Sequence, residues 1–321
     1  MAALSMVCIG KATEDVFLRS ATLFEPHWER GRPYEEFPWG RKLDVEEAVF
    51  TTGGNVANAA TTFARQGLQS TFIWTLGTEL TSRIIVEALA DDGIDVSHVG
   101  RDEALTASYS TILLSSSGER TILNYRGRRP AGHGTDLDLR PLASADWVYL
   151  SSLADMGLLE RVISTAAEAG ARVMLNPAGI ELTETTALLA LLDRVDVLAV
   201  NREEAQQLFG GDTLEGLARS AAARCPVVIV SDGPSGALTT DGVTIVESGL
   251  YEDAPVVDRT GCGDAFASGF LSQWAQGKSL RESVVFASAN STSVVQQVGA
   301  KAGILRAGVV LHDMPIVERA F

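Results

Sequence analysis

Near its carboxyl end the chain reads Val257-Asp258-Arg259-Thr260-Gly261-Cys262-Gly263-Asp264-Ala265-Phe266. The residues before this run have strand character, and those after it are apolar at the three-and-four spacing of a buried helix face. The pattern predicts a strand, a glycine turn and a helix that starts at Gly261, Cys262 and Gly263. A helix amino terminus binds anions through its unpaired N–H groups. Asp264 places a carboxylate in the same turn, beside the position that a phosphoryl group would take.

The same four residues also fit a plain turn followed by an acidic helix cap, because a single Gly-x-Gly is a weak signal. A ligand site in an α/β sheet brings together polar groups from the ends of several strands. The other strand ends therefore distinguish the two interpretations.

The composition predicts a soluble globular protein. The chain has 321 residues, of which 46% are hydrophobic and 21% charged, and its net charge is −15. Nucleic acids and anionic membranes attract basic proteins, so this charge argues against both as partners. The three cysteines are scattered and odd in number, which favours a reducing compartment. With no signal-peptide pattern and no run of 18 apolar residues, we expect a cytoplasmic protein.

Strand and helix patterns alternate along most of the chain. Strands are predicted at residues 6–10, 71–76, 147–150, 172–175, 195–200 and 226–230. One helix is predicted to open with residues 51–60 and to reach about residue 66. Further helices are predicted at 83–92, 158–169, 184–192, 203–209 and 214–222. This alternation is typical of an α/β fold with a mainly parallel central sheet and helices on both faces. The absence of repeats and linkers predicts a single domain over residues 1–321.

Two segments depart from this alternation. Residues 18–41 hold aromatic residues and prolines without a clear period, which predicts a loop or a projecting flap. Residues 108–125 alternate with a period of two on either side of a polar turn, which predicts a hairpin. We therefore expect a small β lid built from about 16–50 and 104–128.

Polar side chains follow several of the predicted strands. They are Asp15, Asn201, Glu204, Asp232, Asp258 and Asp264. Because the carboxyl ends of parallel strands meet at one edge of a sheet, these groups are expected to converge there. Individually, Asp15 also fits a loop residue, and Asn201 with Glu204 fits a helix capping box. Their convergence favours a ligand site.

Several motifs, in order along nearly the whole chain, resemble those of the ribokinase-like, or PfkB, carbohydrate kinases. They are the Gly-Gly-x-x-x-Asn run Gly53-Gly54-Asn55-Val56-Ala57-Asn58, the Asn-x-x-Glu run Asn201-Arg202-Glu203-Glu204, and the glycine-rich run from Asp258 to Asp264. The resemblance implies a ribokinase-like fold. It also implies an ATP-dependent sugar kinase of the ribokinase or fructokinase kind, which transfers the γ-phosphate to a hydroxymethyl group of a small carbohydrate.

The resemblance also assigns catalytic roles to the glycine turn. Asp264 is the general base that takes the proton of the attacking hydroxyl group. The backbone N–H groups of Gly261, Cys262 and Gly263 stabilise charge on the transferring phosphoryl group. Catalysis of phosphoryl transfer consists mainly of positioning and electrostatic stabilisation, so a rigid turn suits it.

Further residues are assigned to the nucleotide and to metal ions in the same way. Asn201 and Glu204 help to place Mg²⁺ and the phosphates of ATP, with Glu204 acting through water. A loop on the nucleotide side is assigned to Asp232, Gly233 and Gly236. Asn290 is assigned to the position that closes the adenine pocket. Asp258 and Thr260 are candidate ligands of a monovalent cation such as K⁺.

On the acceptor side, the residues that resemble sugar-binding groups are Asp15, Gly53, Gly54, Asn55 and Asn58. A carboxylate and carboxamides supply the acceptors and donors that a polyol needs, and paired glycines let it approach the backbone. In the family the lid excludes water from the site and often pairs two subunits, so we also expect a homodimer.

The acceptor itself stays open between several alternatives. Thr13 stands near where ribokinases tend to have Asn, which puts ribose in doubt. Tyr125 and Arg126 resemble a pair by which kinases of keto-deoxy sugar acids contact a carboxylate, although Arg126 also fits a solvated lid edge. The aromatic residues of the lid keep a nucleoside kinase open. Outside the enzymes, a sugar-sensing protein on the same fold is the alternative.

Overall fold

The computed structural model describes residues 3–116 and 119–321. The strands in this part of the chain are β1 (Ser5–Gly10), β2 (Thr13–Arg19), β3 (His27–Glu29), β4 (Arg32–Tyr34), β5 (Glu47–Gly53), β6 (Gln69–Ile73), β7 (Thr75–Leu76), β8 (Gly100–Arg101), β9 (Ser108–Leu114), β10 (Arg120–Tyr125), β11 (Trp147–Ser151), β12 (Arg172–Asn176), β13 (Val197–Asn201), β14 (Val227–Ser231), β15 (Ala237–Thr240), β16 (Thr244–Ser248) and β17 (Ile316–Ala320). The α-helices are α1 (Asn55–Arg65), α2 (Leu80–Asp91), α3 (Met156–Ala169), α4 (Ile180–Thr183), α5 (Thr185–Leu191), α6 (Arg202–Phe209), α7 (Leu214–Ala222), α8 (Cys262–Trp274) and α9 (Leu280–Val295).

The central sheet has nine strands in the order β17-β16-β15-β14-β13-β12-β11-β1-β6. The six strands from β14 to β6 are parallel. They are near-continuous apolar runs, such as Val197-Leu198-Ala199-Val200, because helices cover both faces of the sheet. The predicted parallel core is confirmed, and the carboxyl ends of its strands form one edge.

The sheet continues on one side as an antiparallel extension that was not predicted from the sequence. β15, β16 and β17 pair antiparallel, and β15 pairs antiparallel with β14. The sheet is therefore mixed overall. The first two of these strands are only four and five residues long, which is too short for a clear period of two.

A second sheet of four strands, in the order β10-β9-β2-β5, lies beside the main one. β2 pairs parallel with β9 and antiparallel with β5, and β9 forms the expected hairpin with β10. One face of this sheet has a small apolar core of Phe17, Ile112 and Leu114, against which Val298 packs. Asp15 lies within β2 and not in a loop after the first strand, so that expectation is corrected.

Helices α1 and α8 pack together behind the edge where the two sheets meet. α1 is rich in buried small residues, including Ala57, Ala59 and Ala60, which allow close packing of the helix on β1. The hydroxyl group of Ser268 on α8 donates to that of Thr62 on α1 at 2.8 Å. The amino termini of both helices consequently reach the same part of the molecule.

Three predicted helix boundaries differ from the structure. The helix expected from residue 51 begins at Asn55, because residues 47–53 form β5 and pair with β2. α2 begins at Leu80 and not at residue 83. The single helix expected at 184–192 is observed as α5 followed by a 3₁₀ turn, and the short helix α4, which was not predicted, precedes it.

The aromatic segment projects from the body of the protein. Within it β3 and β4 form a short antiparallel hairpin with exposed side chains. Trp28 is 68% exposed and Trp39 is 100% exposed. In the part of the chain that the structure describes, no helix has the length and apolar character needed to cross a membrane.

Candidate active site

The amino terminus of α8 presents unpaired backbone N–H groups. Gly261 is its N-cap, with a left-handed φ of 77°, and no side chain caps the helix. The N–H group of Ala265 makes the first helical bond, to the carbonyl of Gly261 at 2.9 Å. The N–H groups of Cys262 and Gly263 precede this bond and have no acceptor within the helix, although the N–H of Gly263 interacts with the Cys262 thiol. Such groups at a helix amino terminus can bind an anion.

Asp264 lies in the first turn of this helix and is held by α1. The side-chain amide of Asn58 donates to Asp264 Oδ2 at 2.8 Å. Desolvation raises the pKa of Asp264 to about 6, the Asn58 bond lowers it, and the charge of Glu204 raises it. The carboxylate is thus oriented, and it is ionised at neutral pH with a pKa that suits a base.

A cavity of about 140 Å³ lies in front of this turn. It is lined at the strand ends and on α8 by Asn55, Asn176, Pro177, Ala199, Val200, Asn201, Glu204, Ile229, Ser231, Gly263, Asp264, Phe266 and Ala267. Gly263 is exposed, and a Cβ atom added to it would meet nothing within 4 Å. The structure therefore brings the glycine turn together with Asn201 and Glu204 around an open space.

Asn201 and Glu204 form the capping box of α6 and also border this cavity. The backbone N–H of Glu204 donates to the Asn201 side chain at 2.9 Å, and that of Asn201 donates to Glu204 Oε2 at 2.8 Å. Burial raises the pKa of Glu204, bonding to the Asn201 backbone lowers it, and the charge of Glu203 raises it. The motif can therefore be a helix capping box and part of a ligand site at the same time, because the capping box fixes the Glu204 carboxylate at the cavity.

Asp258 anchors the turn from behind. Its buried carboxylate accepts bonds from the N–H and hydroxyl groups of Thr260 and from the N–H of Gly299. A Cβ atom on Gly261 would lie 2.3 Å from Cβ of Ala300, so only glycine fits at this contact. Asp258 and Thr260 contact each other directly, and they secure the loop that precedes α8.

The acceptor candidates on the second sheet surround Asp15. Asp15 is buried, and its Oδ1 accepts from the hydroxyl of Thr13 at 2.8 Å. Burial raises the pKa of Asp15, and hydrogen bonds from Thr13 and Ser110 lower it. A Cβ atom on Gly53 would lie 2.1 Å from Asp15 Oδ2, so the glycine leaves this oxygen the space it occupies.

Gly54 makes the turn from β5 into α1. It has a φ of 97°, and a Cβ atom there would approach Cα of Ala12 to 2.8 Å. Asn55 then lines the cavity and donates to the hydroxyl of Ser151 at 3.1 Å. Asn58, one turn later, contacts Asp264 through its side-chain amide, and its side-chain oxygen Oδ1 is buried without a hydrogen-bond partner among the described residues.

The structure does not bring four of the nucleotide-side candidates into this cavity. Asn290 is fully buried; its amide donates to the carbonyl of Ala265 and its oxygen accepts from the N–H of Leu305. Asp232 bonds Arg202 at 3.0 Å. Gly233 and Gly236 lie in the turn between β14 and β15, beside the cavity but outside its lining. The residue of this segment that lines the cavity is Ser231.

Arg126 lines a second cavity together with three more cationic side chains. The basic residues of this cavity are Lys11, Arg126, Arg128 and Arg129. The three arginines are exposed, as the alternative of a solvated lid edge expects, and they also line this cavity. Tyr125 is not part of the lining; its hydroxyl contacts that of Thr106 at 3.0 Å.

Two kinds of site residue were missed by sequence reasoning. Asn176 lines the first cavity at the carboxyl end of β12, and its amide donates to the carbonyl of Ala199 at 2.9 Å. A polar residue directly after an apolar strand was the available signal for it. Lys11 lines the second cavity, and no local pattern distinguishes it from a surface lysine. Among the described residues there is no cluster of three or more metal-binding His, Cys, Asp or Glu side chains.

Comparisons with known proteins identify the family of the chain. The family model of the pfkB family carbohydrate kinases matches residues 30–306. Ribokinase of Arabidopsis thaliana is 28% identical over 308 residues, which are 92% of this chain and 77% of that protein. Fructokinase of Klebsiella pneumoniae is 31% identical over 244 residues, which are 68% of this chain and 75% of that protein.

The fold comparison gives the same class. The structure of Arabidopsis thaliana ribokinase complexed with ribose and ATP has a TM-score of 0.78 and 24% sequence identity over 95% of this chain and 96% of that chain. The fold is therefore ribokinase-like, as predicted. The chain belongs to the pfkB family of carbohydrate kinases, which are phosphotransferases that act on an alcohol group. The predicted enzyme class is confirmed.

Proposed function

We propose that this protein is an ATP-dependent sugar kinase in which Asp264 is the general base. The observation that carries the proposal is the position of Asp264: an oriented carboxylate with a pKa raised to about 6, in the first turn of a helix whose first N–H groups have no acceptor within the helix. A base and an anion site within one turn suit an attack by a hydroxyl group on a phosphoryl group.

The acceptor hydroxyl would lie between Asp264 and the residues around Asp15. Asp264 takes the proton of this hydroxyl as the hydroxyl oxygen forms a bond to the γ-phosphorus. The bond from that phosphorus to the bridging oxygen breaks, and ADP leaves with the electron pair. The side-chain oxygen of Asn58, which has no donor among the described residues, supports this placement. A buried acceptor without a donor is costly, and a sugar hydroxyl would supply the missing hydrogen bond. Asp15 and Asn55 supply further acceptors and donors to the polyol.

The nucleotide phosphates would lie at the amino terminus of α8. The N–H groups of Gly261, Cys262 and Gly263 face developing negative charge there, and the open space beside Gly263 admits the phosphoryl group. ATP supplies this group, and the related ribokinase was solved with ATP.

Mg²⁺ fits the donors at this cavity. Mg²⁺ shields phosphate charge when bound, and it prefers carboxylate oxygens and water as ligands. Glu204 supplies such a carboxylate, which its capping box fixes at the cavity wall. Asn201 holds Glu204 in place. Asp258 and Thr260 are the residues we assign to a monovalent cation such as K⁺.

We extend the proposal to the whole protein. The chain is a single α/β kinase domain over 1–321 with a β lid from about 16–50 and 104–128, located in the cytoplasm. Two copies pair through the outer face of the second sheet as a homodimer. Support comes from exposed apolar residues on that face, including Phe50 and Leu123.

The proposal is tested by an ADP-release assay over neutral sugars, sugar acids, sugar phosphates and nucleosides. The Asp264→Asn variant is expected to lose at least about 10²-fold in kcat, because the amide cannot accept the proton. Its fold is expected to persist, since the amide is neutral where the carboxylate is desolvated.

Asp91→Asn is the matched control, since Asp91 is exposed at the end of α2. Near wild-type turnover by Asp264→Asn would contradict the assignment of the base. Turnover of nucleosides alone would replace the sugar by a nucleoside, and no turnover with any acceptor would favour a sugar-sensing protein.

A further inference from the structure

The second cavity holds an unusual concentration of positive charge for this chain. Its lining includes Lys11 from the end of β1 and three arginines that follow the β9–β10 hairpin, Arg126, Arg128 and Arg129. The chain as a whole carries 41 acidic and 26 basic residues. Four cations around one cavity are therefore not a consequence of composition.

In the part of the chain that the structure describes, these four cations have no anionic partner at contact distance. Among the described residues, none of them forms an ion pair within 4.0 Å. Neighbouring cations without a counter-charge repel one another, and burial adds to the cost at Lys11, which is half-buried, while the three arginines are exposed. Desolvation lowers the pKa of Lys11, Arg129 lowers it further, Glu181 raises it, and Arg126 lowers it.

The nearest carboxylates are already engaged elsewhere. Glu181 is fully buried and accepts the backbone N–H groups of Ala154 and Ala178. Asp102 bonds His133, and Asp155 caps α3. These carboxylates lower the positive electrostatic potential in the cavity, but they form no ion pair with its cations within 4.0 Å among the described residues.

The cluster is partly fixed in place before any ligand binds. The Arg129 guanidinium donates to the carbonyls of Gly134 and Thr75 and stacks at 4.4 Å over the Trp74 ring. The backbone of Arg128 bonds that of Thr106 in both directions. Preorganised cations lose less entropy when an anion binds than free surface side chains do.

The second cavity adjoins the acceptor residues. Lys11 and Ala12 line it, and a Cβ atom on Gly54 would lie within 3 Å of both their backbones. Asn55, the next residue, lines the first cavity with Asp264. Ser108 lines the second cavity and pairs with Thr13, two residues before Asp15. The two cavities thus lie on either side of the turn at Gly54.

We propose that the acceptor of this kinase carries an anionic group, a carboxylate or a phosphate monoester, at the end away from the attacking hydroxyl, and that Lys11, Arg126, Arg128 and Arg129 bind it. This inference rests on the proposed function and narrows its substrate class. Arginine guanidinium groups match carboxylate and phosphate oxygens in geometry as well as in charge. A neutral sugar would leave the four cations unpaired.

The test measures ADP release with neutral and anionic acceptors side by side: ribose, fructose, ribose 1-phosphate and 2-dehydro-3-deoxygluconate. We expect kcat/KM for one of the two anionic acceptors to exceed that for both neutral sugars by about 10- to 100-fold. The better anionic acceptor identifies the group as phosphate or carboxylate. Equal or better turnover of the neutral sugars would overturn the inference and leave the proposed function standing.

Two variants locate the binding group. Lys11→Met and Arg128→Gln are each expected to raise KM for the preferred anionic acceptor by about tenfold or more, with kcat little changed. Arg83→Gln is the matched control, because Arg83 is exposed on α2 outside both cavities. An unchanged KM in both cavity variants, with the melting temperature preserved, would contradict the assignment.

A binding measurement separates this inference from the function that it rests on. Calorimetry with the Asp264→Asn variant and the same four acceptors, without ATP, requires no catalysis. Binding of an anionic acceptor that is weakened by Lys11→Met supports the site even if no acceptor is phosphorylated. Failure of both anionic acceptors and of inorganic phosphate to bind would overturn the inference independently of any kinase activity.

Discussion

At the scale of single residues, the site depends on the contact between Asn58 and Asp264. These residues are 206 positions apart, and a 2.8 Å hydrogen bond joins them. The bond occupies the amide of Asn58 and leaves its side-chain oxygen Oδ1 without a donor among the described residues. In the proposed function, this one side chain would orient the general base and offer an acceptor to a sugar hydroxyl.

The pH dependence of kcat/KM is expected to report the ionisation of Asp264. Burial raises the pKa of this carboxyl from 3.8 to about 6, and only the ionised form accepts a proton. Activity should therefore be retained above about pH 6 and fall about tenfold per pH unit below it. The measurement is a pH–rate profile at low concentration of a neutral acceptor, whose own ionisation does not contribute.

The fall of kcat/KM at low pH is the acid limb of the pH–rate profile. Two variants are expected to shift this acid limb in opposite directions. Asn58→Ala removes a hydrogen bond that lowers the pKa of Asp264, so the limb is expected to shift to higher pH. Glu204→Gln removes a nearby negative charge that raises it, so the limb is expected to shift to lower pH. Shifts in the same direction, or none in either variant, would contradict the assignment of the limb to Asp264.

Residue identity was predictable where a motif was contiguous. The runs at Gly53–Asn58 and Asp258–Asp264 each bring several groups of one site together in the sequence. Lys11 and Asn176 were missed because each comes from a separate strand end. The role of Asn290 could not be predicted either, because its partners, Ala265 and Leu305, are known only from the packing of α8.

At the scale of the element, the first turn of α8 contains two glycines with different requirements. Gly261 has a positive φ and would collide with Ala300 if it carried a Cβ atom. Gly263 has open space at the same position. Packing explains the first glycine, whereas no contact in the described structure requires the second.

We therefore expect opposite effects from two alanine substitutions. Gly261→Ala should lower the free energy of unfolding by about 1–3 kcal/mol, through backbone strain and overpacking. Gly263→Ala should leave the melting temperature unchanged or slightly higher, since alanine favours helix. It should nevertheless reduce kcat/KM for ATP, because its methyl group occupies the phosphoryl position. Full activity in Gly263→Ala would show that this space is not used.

Helices and strands were predictable where a hydrophobic pattern ran through the whole element. The prediction was wrong where the conformation depends on pairing with a distant strand. The parallel strands are apolar runs that local pattern reveals. Residues 51–53, the end of β5, were predicted as the start of a helix because this Thr-Thr-Gly run has no strand period of its own, and its pairing with β2 decides its conformation. An Asp241-Gly242 turn signal between β15 and β16 was present, and Asp241 Oδ1 accepts the N–H groups of Val243 and Thr244.

At the scale of the whole molecule, two sheets of different character meet at the site. The central sheet supplies the phosphate-side groups from strand ends and from α8. The second sheet supplies Asp15, and the chain after it supplies the three arginines. A substrate that spans both cavities would contact both parts, which is consistent with a lid over the acceptor.

The outer face of the second sheet is where the proposed homodimer is tested. The strand register places Phe50, Val16, Thr111 and Leu123 in one row across this face. Phe50 is 72% exposed and Leu123 is 57% exposed, at the two edge strands of the sheet. Exposed apolar residues in one row favour a contact with a second copy.

Phe50→Asp is expected to convert the dimer to a monomer, because it would place a charge within the apolar contact. Light scattering coupled to size-exclusion chromatography measures the mass of the wild type and of the variant at equal concentration. Val310→Asp is the control, since Val310 is 92% exposed and lies outside the second sheet. A wild type that is monomeric, or a Phe50→Asp variant that stays dimeric, would contradict this interface. Loss of the dimer in the Val310 variant as well would show that the effect is not specific to this face.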